Sequence, residues 1–61
     1  EVNLMNSIME RLEKYQNGTL SFENTVFLFQ ELVDTGMLWR INNMVYTDVK
    51  ELIERGYVLQ R

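Results

Sequence analysis

The placement of its glycines is the feature that most constrains what this chain can fold into. There are only three, Gly18, Gly36 and Gly56, and there is no proline. Each glycine follows a segment in which apolar residues recur every three or four positions, as on one face of an α-helix. Glycine is common just beyond the last turn of a helix, because it adopts a positive φ without a Cβ clash. The pattern therefore predicts three helices.

The three predicted helices differ in how much apolar surface they carry. The first covers about residues 4–16 and has one apolar stripe opposite a charged side. The second covers about residues 22–35, starts after Ser21 as its N-cap, and is apolar around most of its circumference. The third is predicted to start after Thr47, a second N-cap residue, and to end before Gly56. The second helix is therefore expected to be covered on more than one side.

The segment from residue 37 to residue 46 leaves two alternatives open. Residues 37–41 are compatible with one more helical turn after Gly36, followed by an irregular loop. Alternatively, residues 38–41 and 44–46 form two short strands around Asn42 and Asn43, since asparagine tolerates positive φ. The helical turn is favoured, because an isolated hairpin is only marginally stable in water.

The length of the chain, 61 residues, predicts one domain over residues 1–61, with residues 1–3 frayed or introduced by cloning. A domain of this size buries only about 60% of its unfolded surface. There is no cysteine for a disulfide and no histidine, so the usual zinc ligands are absent. A second copy of the chain is the simplest source of further burial. We therefore predict an all-α, homodimeric bundle of three helices, which self-associates through Phe22, Val26, Phe27, Leu28, Met37 and Leu38.

Several function classes are not expected from this composition. Without histidine or cysteine the usual nucleophile and base pairs are missing, and there is no glycine-rich phosphate loop or calcium loop. We therefore predict that the protein is not an enzyme and has no cofactor or metal. The longest apolar run, residues 26–29, is far too short for a membrane span, so a soluble intracellular protein is expected. The net charge of −3 argues against general binding of nucleic acid.

Candidate binding residues cluster after Gly36. Trp39 and Arg40 belong to the residue types that dominate binding hot spots, and Asn43 and Tyr46 lie close to them in the sequence. These four residues are the predicted partner-binding site. The alternative for Trp39 is that its ring closes the core of the bundle beneath Gly36.

Two stretches carry a resemblance to a known family. They are FQELVDTG, residues 29–36, followed by Trp39, and LIExGY, residues 52–57. Together with NGTLS, residues 17–21, they resemble a family of very short phage proteins over about residues 15–57. The family tends to have a Tyr-Gly-Arg step between the tryptophan and the last helix, whereas here Thr47 follows Tyr46. A function located in that loop need not carry over.

The resemblance implies a small accessory protein that is made during infection and acts in the host cytoplasm. Such proteins often bind host machinery, including antiviral defence systems, and an inhibitor of the Hachiman system is one example of this size and origin. The expected function is to bind a host immune protein and to inhibit it by covering its surface. The expected partners are a second copy of the chain and that host protein, with no membrane and no nucleic acid.

Two other functions stay open from the sequence. Residues 47–59 are similar to a winged-helix recognition helix that leads into a strand, although Lys50 and Arg55 are outnumbered there by Asp48, Glu51 and Glu54. Alternatively, an oligomer could form pockets in which Trp39 and nearby basic residues bind a signalling nucleotide. The second alternative predicts saturable binding of a cyclic nucleotide.

Overall fold

The computed structural model describes residues 4–41 and 43–60, with side chains described for residues 7–41 and 44–60. Over this range the chain contains helices and turns and no strand, which confirms the predicted all-α bundle of three helices. Residues 1–3, expected to be frayed or introduced by cloning, lie outside the described range. The elements in chain order are α1 (Leu4–Gln16), α2 (Phe22–Thr35), a 3₁₀ turn (Met37–Arg40) and α3 (Asn43–Glu54).

Helix α2 begins and ends where the sequence predicts. The Ser21 hydroxyl accepts a hydrogen bond from the Asn24 backbone N–H at 3.2 Å, and the φ of Ser21, −65° with ψ at 160°, is that of an N-cap. At the other end Gly36 adopts a φ of 77°, and its N–H donates to the Val33 carbonyl at 3.3 Å. This left-handed residue stops the α-helix and allows the chain to continue directly into the 3₁₀ turn.

Helix α3 begins earlier than the sequence predicts. It starts at Asn43, so Thr47 lies inside the helix and is not its N-cap. The hairpin alternative is also wrong, because residues 44–46 are helical and residues 37–40 form the 3₁₀ turn. Val45 and Val49 are 2% and 0% exposed, and residues four apart lie on the same helix face. Burying both side chains in one core therefore requires the helix to run through Val45.

The core takes side chains from every element and from the C-terminal tail. Helix α2 supplies the largest share, which agrees with its nearly continuous apolar surface. The buried apolar side chains are those of Ile8, Leu12, Leu28, Phe29, Leu32, Leu38, Val45, Val49 and Val58. Leu28 and Leu38 belong to the predicted self-association surface, but they are only 0% and 7% exposed and lie in the core of their own chain. A side chain already enclosed by its own chain has no surface left for a second copy.

Tyr15 connects all three helices. Its ring lies edge-on against the ring of Phe29 in α2, with 5.0 Å between the centroids and an angle of 75° between the planes. Its hydroxyl donates a hydrogen bond to the Asp48 carboxylate in α3. One side chain of α1 therefore makes an aromatic contact with one helix and a charge-assisted hydrogen bond with the other.

The surroundings of Tyr15 raise its pKa to about 12, chiefly because burial disfavours the phenolate. The hydrogen bond to Asp48 also stabilises the neutral phenol, and the negative charges of Asp48 and Glu51 disfavour a second negative charge. The folded chain thus holds the Tyr15 proton more tightly than the unfolded chain does.

The last turn of α3 reverses the chain onto α2. The N–H of Gly56 donates to the Ile53 carbonyl at 3.1 Å, and the N–H of Tyr57 donates to the Leu52 carbonyl at 2.9 Å. This pair of bonds is a Schellman motif, which ends a helix and satisfies its last carbonyls. The tail that follows is short, and it places Val58 in the core at 1% exposure.

The tail is held on α2 by a side-chain amide. The Gln30 side-chain NH₂ donates to the Leu59 carbonyl, and the Leu59 backbone N–H donates to the Gln30 side-chain oxygen, both at 2.8 Å. The two bonds satisfy both backbone groups of Leu59, as a neighbouring β-strand would. None of the helices described is both long and apolar enough to cross a membrane.

We expect Leu28→Ala to lower the free energy of unfolding by about 2–5 kcal/mol, because it opens a cavity in the core. The matched control is Met44→Ala, since Met44 is 79% exposed on α3 and its loss should change stability by only about 0.5 kcal/mol. Urea denaturation followed by circular dichroism measures both values. Equal, small losses would contradict the placement of Leu28 in the core.

We expect the stability that Tyr15 contributes to be complete below pH 10, the ordinary pKa of tyrosine, and to be lost as the pH rises through about 12. Spectrophotometric titration of the wild type and of Tyr15→Phe isolates this group, since the difference curve contains only the Tyr15 phenol. The expected midpoint is about 12. A difference curve centred near 10 would show that the phenol is not buried beside Asp48 in the folded chain.

Candidate functional site

The most exposed aromatic ring among the described side chains belongs to Trp39. It lies in the 3₁₀ turn that follows Gly36, directly after Leu38. Leu38 is 7% exposed and fixes the turn to the core, whereas Trp39 is 69% exposed. The alternative in which Trp39 closes the core is therefore wrong, because Leu38 takes that position.

The exposed indole is nevertheless held in place. Its ring meets the ring of Tyr46 at 5.5 Å between centroids and 67° between planes. Tyr46 itself is half-buried in the second turn of α3 and packs against the core. The contact forms because α3 starts at Asn43, which brings Tyr46 back beside the 3₁₀ turn. An aromatic pair of this geometry limits the rotation of Trp39 in water.

A groove of about 240 Å³ lies beside this aromatic pair. Its lining includes the apolar side chains of Leu38 and Ile53 and the oppositely charged side chains of Lys50 and Glu54. The full lining consists of Leu38, Trp39, Tyr46, Lys50, Ile53, Glu54 and Gln60. We call the groove formed by these seven residues the Trp39 groove. Its shape and chemistry suit an apolar side chain that carries a polar or charged neighbour.

The remaining predicted binding residues are placed differently. Arg40 is exposed at the end of the 3₁₀ turn and makes no ion pair with any residue that the structure describes. Arg11 and Arg55, by contrast, pair with Glu31 and Glu51. The backbone of Asn43 begins α3, but its side chain lies outside the described part of the chain. Trp39 and Tyr46 are thus in contact, and Arg40 directly follows Trp39 in the sequence.

The predicted self-association residues differ widely in exposure. Phe22 and Phe27 are 57% and 59% exposed, Val26 and Met37 are half-buried, and the two leucines of the set are buried. The residue pattern could not separate these classes, because α2 is apolar on nearly every side.

Two further exposed residues, Tyr57 and Leu59, were not among the predicted sites. They are 53% and 58% exposed, and Val58 between them is buried. The ring of Tyr57 meets the ring of Phe22 edge-on at 5.1 Å. The sequence gives no periodic signal for these positions, because the tail is neither a helix nor a strand. No group of acidic residues within the described ranges is placed to hold a metal ion.

Comparison with known proteins identifies the family to which this chain belongs. A family model described as a domain of unknown function, DUF7417, matches residues 2–61. Comparisons with curated proteins and with solved structures give no match. The family model covers almost the whole chain, and this protein therefore belongs to the DUF7417 family.

Proposed function

We propose that the protein is a non-catalytic interaction module that binds a host antiviral protein through the Trp39 groove and inhibits it by covering part of its surface. The observation that carries this proposal is the 69% exposure of Trp39. Tryptophan offers a large apolar area, and leaving it in water costs free energy that binding recovers. It is also the residue type most enriched at the centres of protein interfaces.

The arrangement around Trp39 supports recognition of a protein rather than nonspecific adhesion. The edge-to-face contact with Tyr46 orders the indole before any partner arrives, so less side-chain entropy is lost on binding. The groove beside it accepts an apolar side chain of the partner. Arg40 extends from the same turn and is available to a carboxylate on the partner, in the bidentate geometry that arginine favours.

The host and the target in this proposal come from the resemblance to short phage proteins. The target would be a bacterial immune protein, such as a component of the Hachiman system, and the site of action the host cytoplasm during infection. Inhibition by occlusion needs only a tight complex, which a small rigid surface provides. It needs no chemistry from the chain.

No specific observation in the structure favours either of the two alternative functions, a winged-helix reader or a nucleotide sponge. A winged-helix reader needs a basic recognition helix, whereas Lys50 lies beside Glu51 and Glu54 on the exposed surface of α3. Arg55 is paired with Glu51 at 3.2 Å, which leaves its charge partly neutralised. A nucleotide sponge needs several cations around one pocket, and Lys50 is the basic residue among those that line the Trp39 groove.

The test is plating of phage on bacteria that carry a defence system, Hachiman first, with and without the protein. Wild-type protein is expected to restore plaque formation. Trp39→Ala is expected to lose this effect, and to weaken binding to the purified immune protein by about thirtyfold or more in calorimetry, as for a hot-spot residue. Met44→Ala is the control, because Met44 is even more exposed but does not line the groove.

Restored plating by Trp39→Ala at wild-type level, with unchanged affinity, would refute the role of the groove. Circular dichroism of the variant checks that its fold is intact. Failure of the wild-type protein to bind and inhibit any of the bacterial immune proteins tested would refute the proposed function itself.

A further inference from the structure

The turn between α1 and α2 contains the one Asn-Gly pair in the sequence, Asn17 followed by Gly18. Asparagine is a thermolabile residue, because the backbone nitrogen of the next residue can attack its side-chain amide. A glycine in that next position has no Cβ to hinder the attack. Neither the core nor the target-binding proposal makes use of this pair, which is therefore a candidate site of covalent modification.

The Asn17 side chain is open to this reaction. Asn17 is exposed, and its side chain makes no hydrogen bond to any residue that the structure describes. The space around the turn is also open, since no heavy atom lies within 4 Å of the point where a Cβ on Gly18 would lie. Water therefore has access to the side-chain amide and to the turn.

The end of α1 holds the attacking nitrogen. The N–H of Gly18 donates to the Tyr15 carbonyl at 3.1 Å, and the N–H of Thr19 donates to the Lys14 carbonyl at 2.9 Å. These bonds form a Schellman motif, with Gly18 at a φ of 76°. A nitrogen whose hydrogen is bound to a carbonyl must be released before it can lose that hydrogen and attack. The reaction therefore requires the end of α1 to open.

We propose that Asn17 is a site of spontaneous deamidation, and that the closed end of α1 sets the rate. The Gly18 nitrogen forms a bond to Cγ of Asn17, and the bond between Cγ and the side-chain nitrogen breaks. The leaving nitrogen takes the proton that the Gly18 nitrogen gives up and departs as ammonia. Water then opens the five-membered succinimide ring and leaves aspartate or isoaspartate at position 17. This proposal does not rest on the proposed function.

Either product weakens the end of α1. It places a negative charge at the C-terminal end of the helix, where the helix dipole disfavours anions. Isoaspartate also adds one carbon to the backbone before Gly18, so the Gly18 N–H no longer lies opposite the Tyr15 carbonyl. Tyr15 is the residue that joins α1 to Phe29 in α2 and to Asp48 in α3. One reaction in the turn therefore loosens the side chain that connects the three helices.

The experiment is incubation of the purified chain at mildly alkaline pH, folded and in urea, followed by tryptic digestion and mass spectrometry. The tryptic peptide of residues 15–40 contains Asn17 and also Asn24. Asn24 is the internal control, because it is exposed but lies in α2 before the β-branched Thr25. We expect a gain of one mass unit at Asn17 and not at Asn24. The gain should be at least about tenfold faster in urea, where no helix end has to open first.

Tyr15→Phe tests whether the end of α1 controls the rate. The variant removes the hydrogen bond to Asp48 and should speed deamidation of the folded chain by at least about threefold, with no change in urea. Tyr57→Phe is the matched control, since Tyr57 is exposed on the tail, and it should leave the rate unchanged. Asn17→Gln should abolish the mass gain, because attack on the longer side chain would have to close a six-membered ring.

Three results would overturn the proposal. Equal rates at Asn17 and Asn24 in urea would show that Gly18 does not promote the reaction. Equal rates at Asn17 in the folded chain and in urea would show that the Schellman motif does not protect it. Equal rates in folded Tyr15→Phe and Tyr57→Phe would show that the contacts of Tyr15 do not limit the opening. Circular dichroism confirms that each variant is folded, and no target protein is needed, so the outcome is independent of the plating experiment.

Discussion

The small size of its core is the constraint on which the rest of this structure depends. Nine apolar side chains are buried within the described ranges, whereas seven large apolar ones are more than half exposed. With three short helices there are not enough elements to cover α2 on all sides. The chain therefore encloses one side of α2 around Leu28, Phe29 and Leu32, and leaves Phe27 in water. The exposed apolar side chains, Trp39 among them, follow from this shortage.

The sequence predicted the elements better than it predicted which faces they bury. Ser21 marks the start of α2 with its capping hydroxyl, and Gly36 marks its end with a positive φ. Both features are local, so they can be predicted without knowledge of the rest of the fold. The prediction that Thr47 is the N-cap of α3 was wrong, because threonine occurs both at N-caps and inside helices. The burial of Val45 agrees with a helix that starts earlier, at Asn43. In α2 apolar residues occur on nearly every side, so periodicity could not tell Leu28 from Phe27. That choice is made by packing between helices.

For the candidate binding residues, too, the sequence predicted some features and missed others. Residue type was enough to single out Trp39, but its exposure depends on the neighbouring Leu38 entering the core in its place. The ring contact with Tyr46 depends on the early start of α3, which the sequence did not indicate. The Trp39 groove also reaches the C-terminal tail, since Gln60 lines the groove and directly follows Leu59.

The attachment of the tail through Gln30 has a consequence for how the surface of the tail can evolve. The Gln30 side chain forms its two hydrogen bonds with the backbone of residue 59, so these bonds do not depend on which side chain that residue carries. Substitutions at position 59 can therefore alter the size, polarity or charge of the outward surface while the tail stays attached. In a lineage whose partners change quickly, such a position allows new specificities to be sampled without loss of the fold.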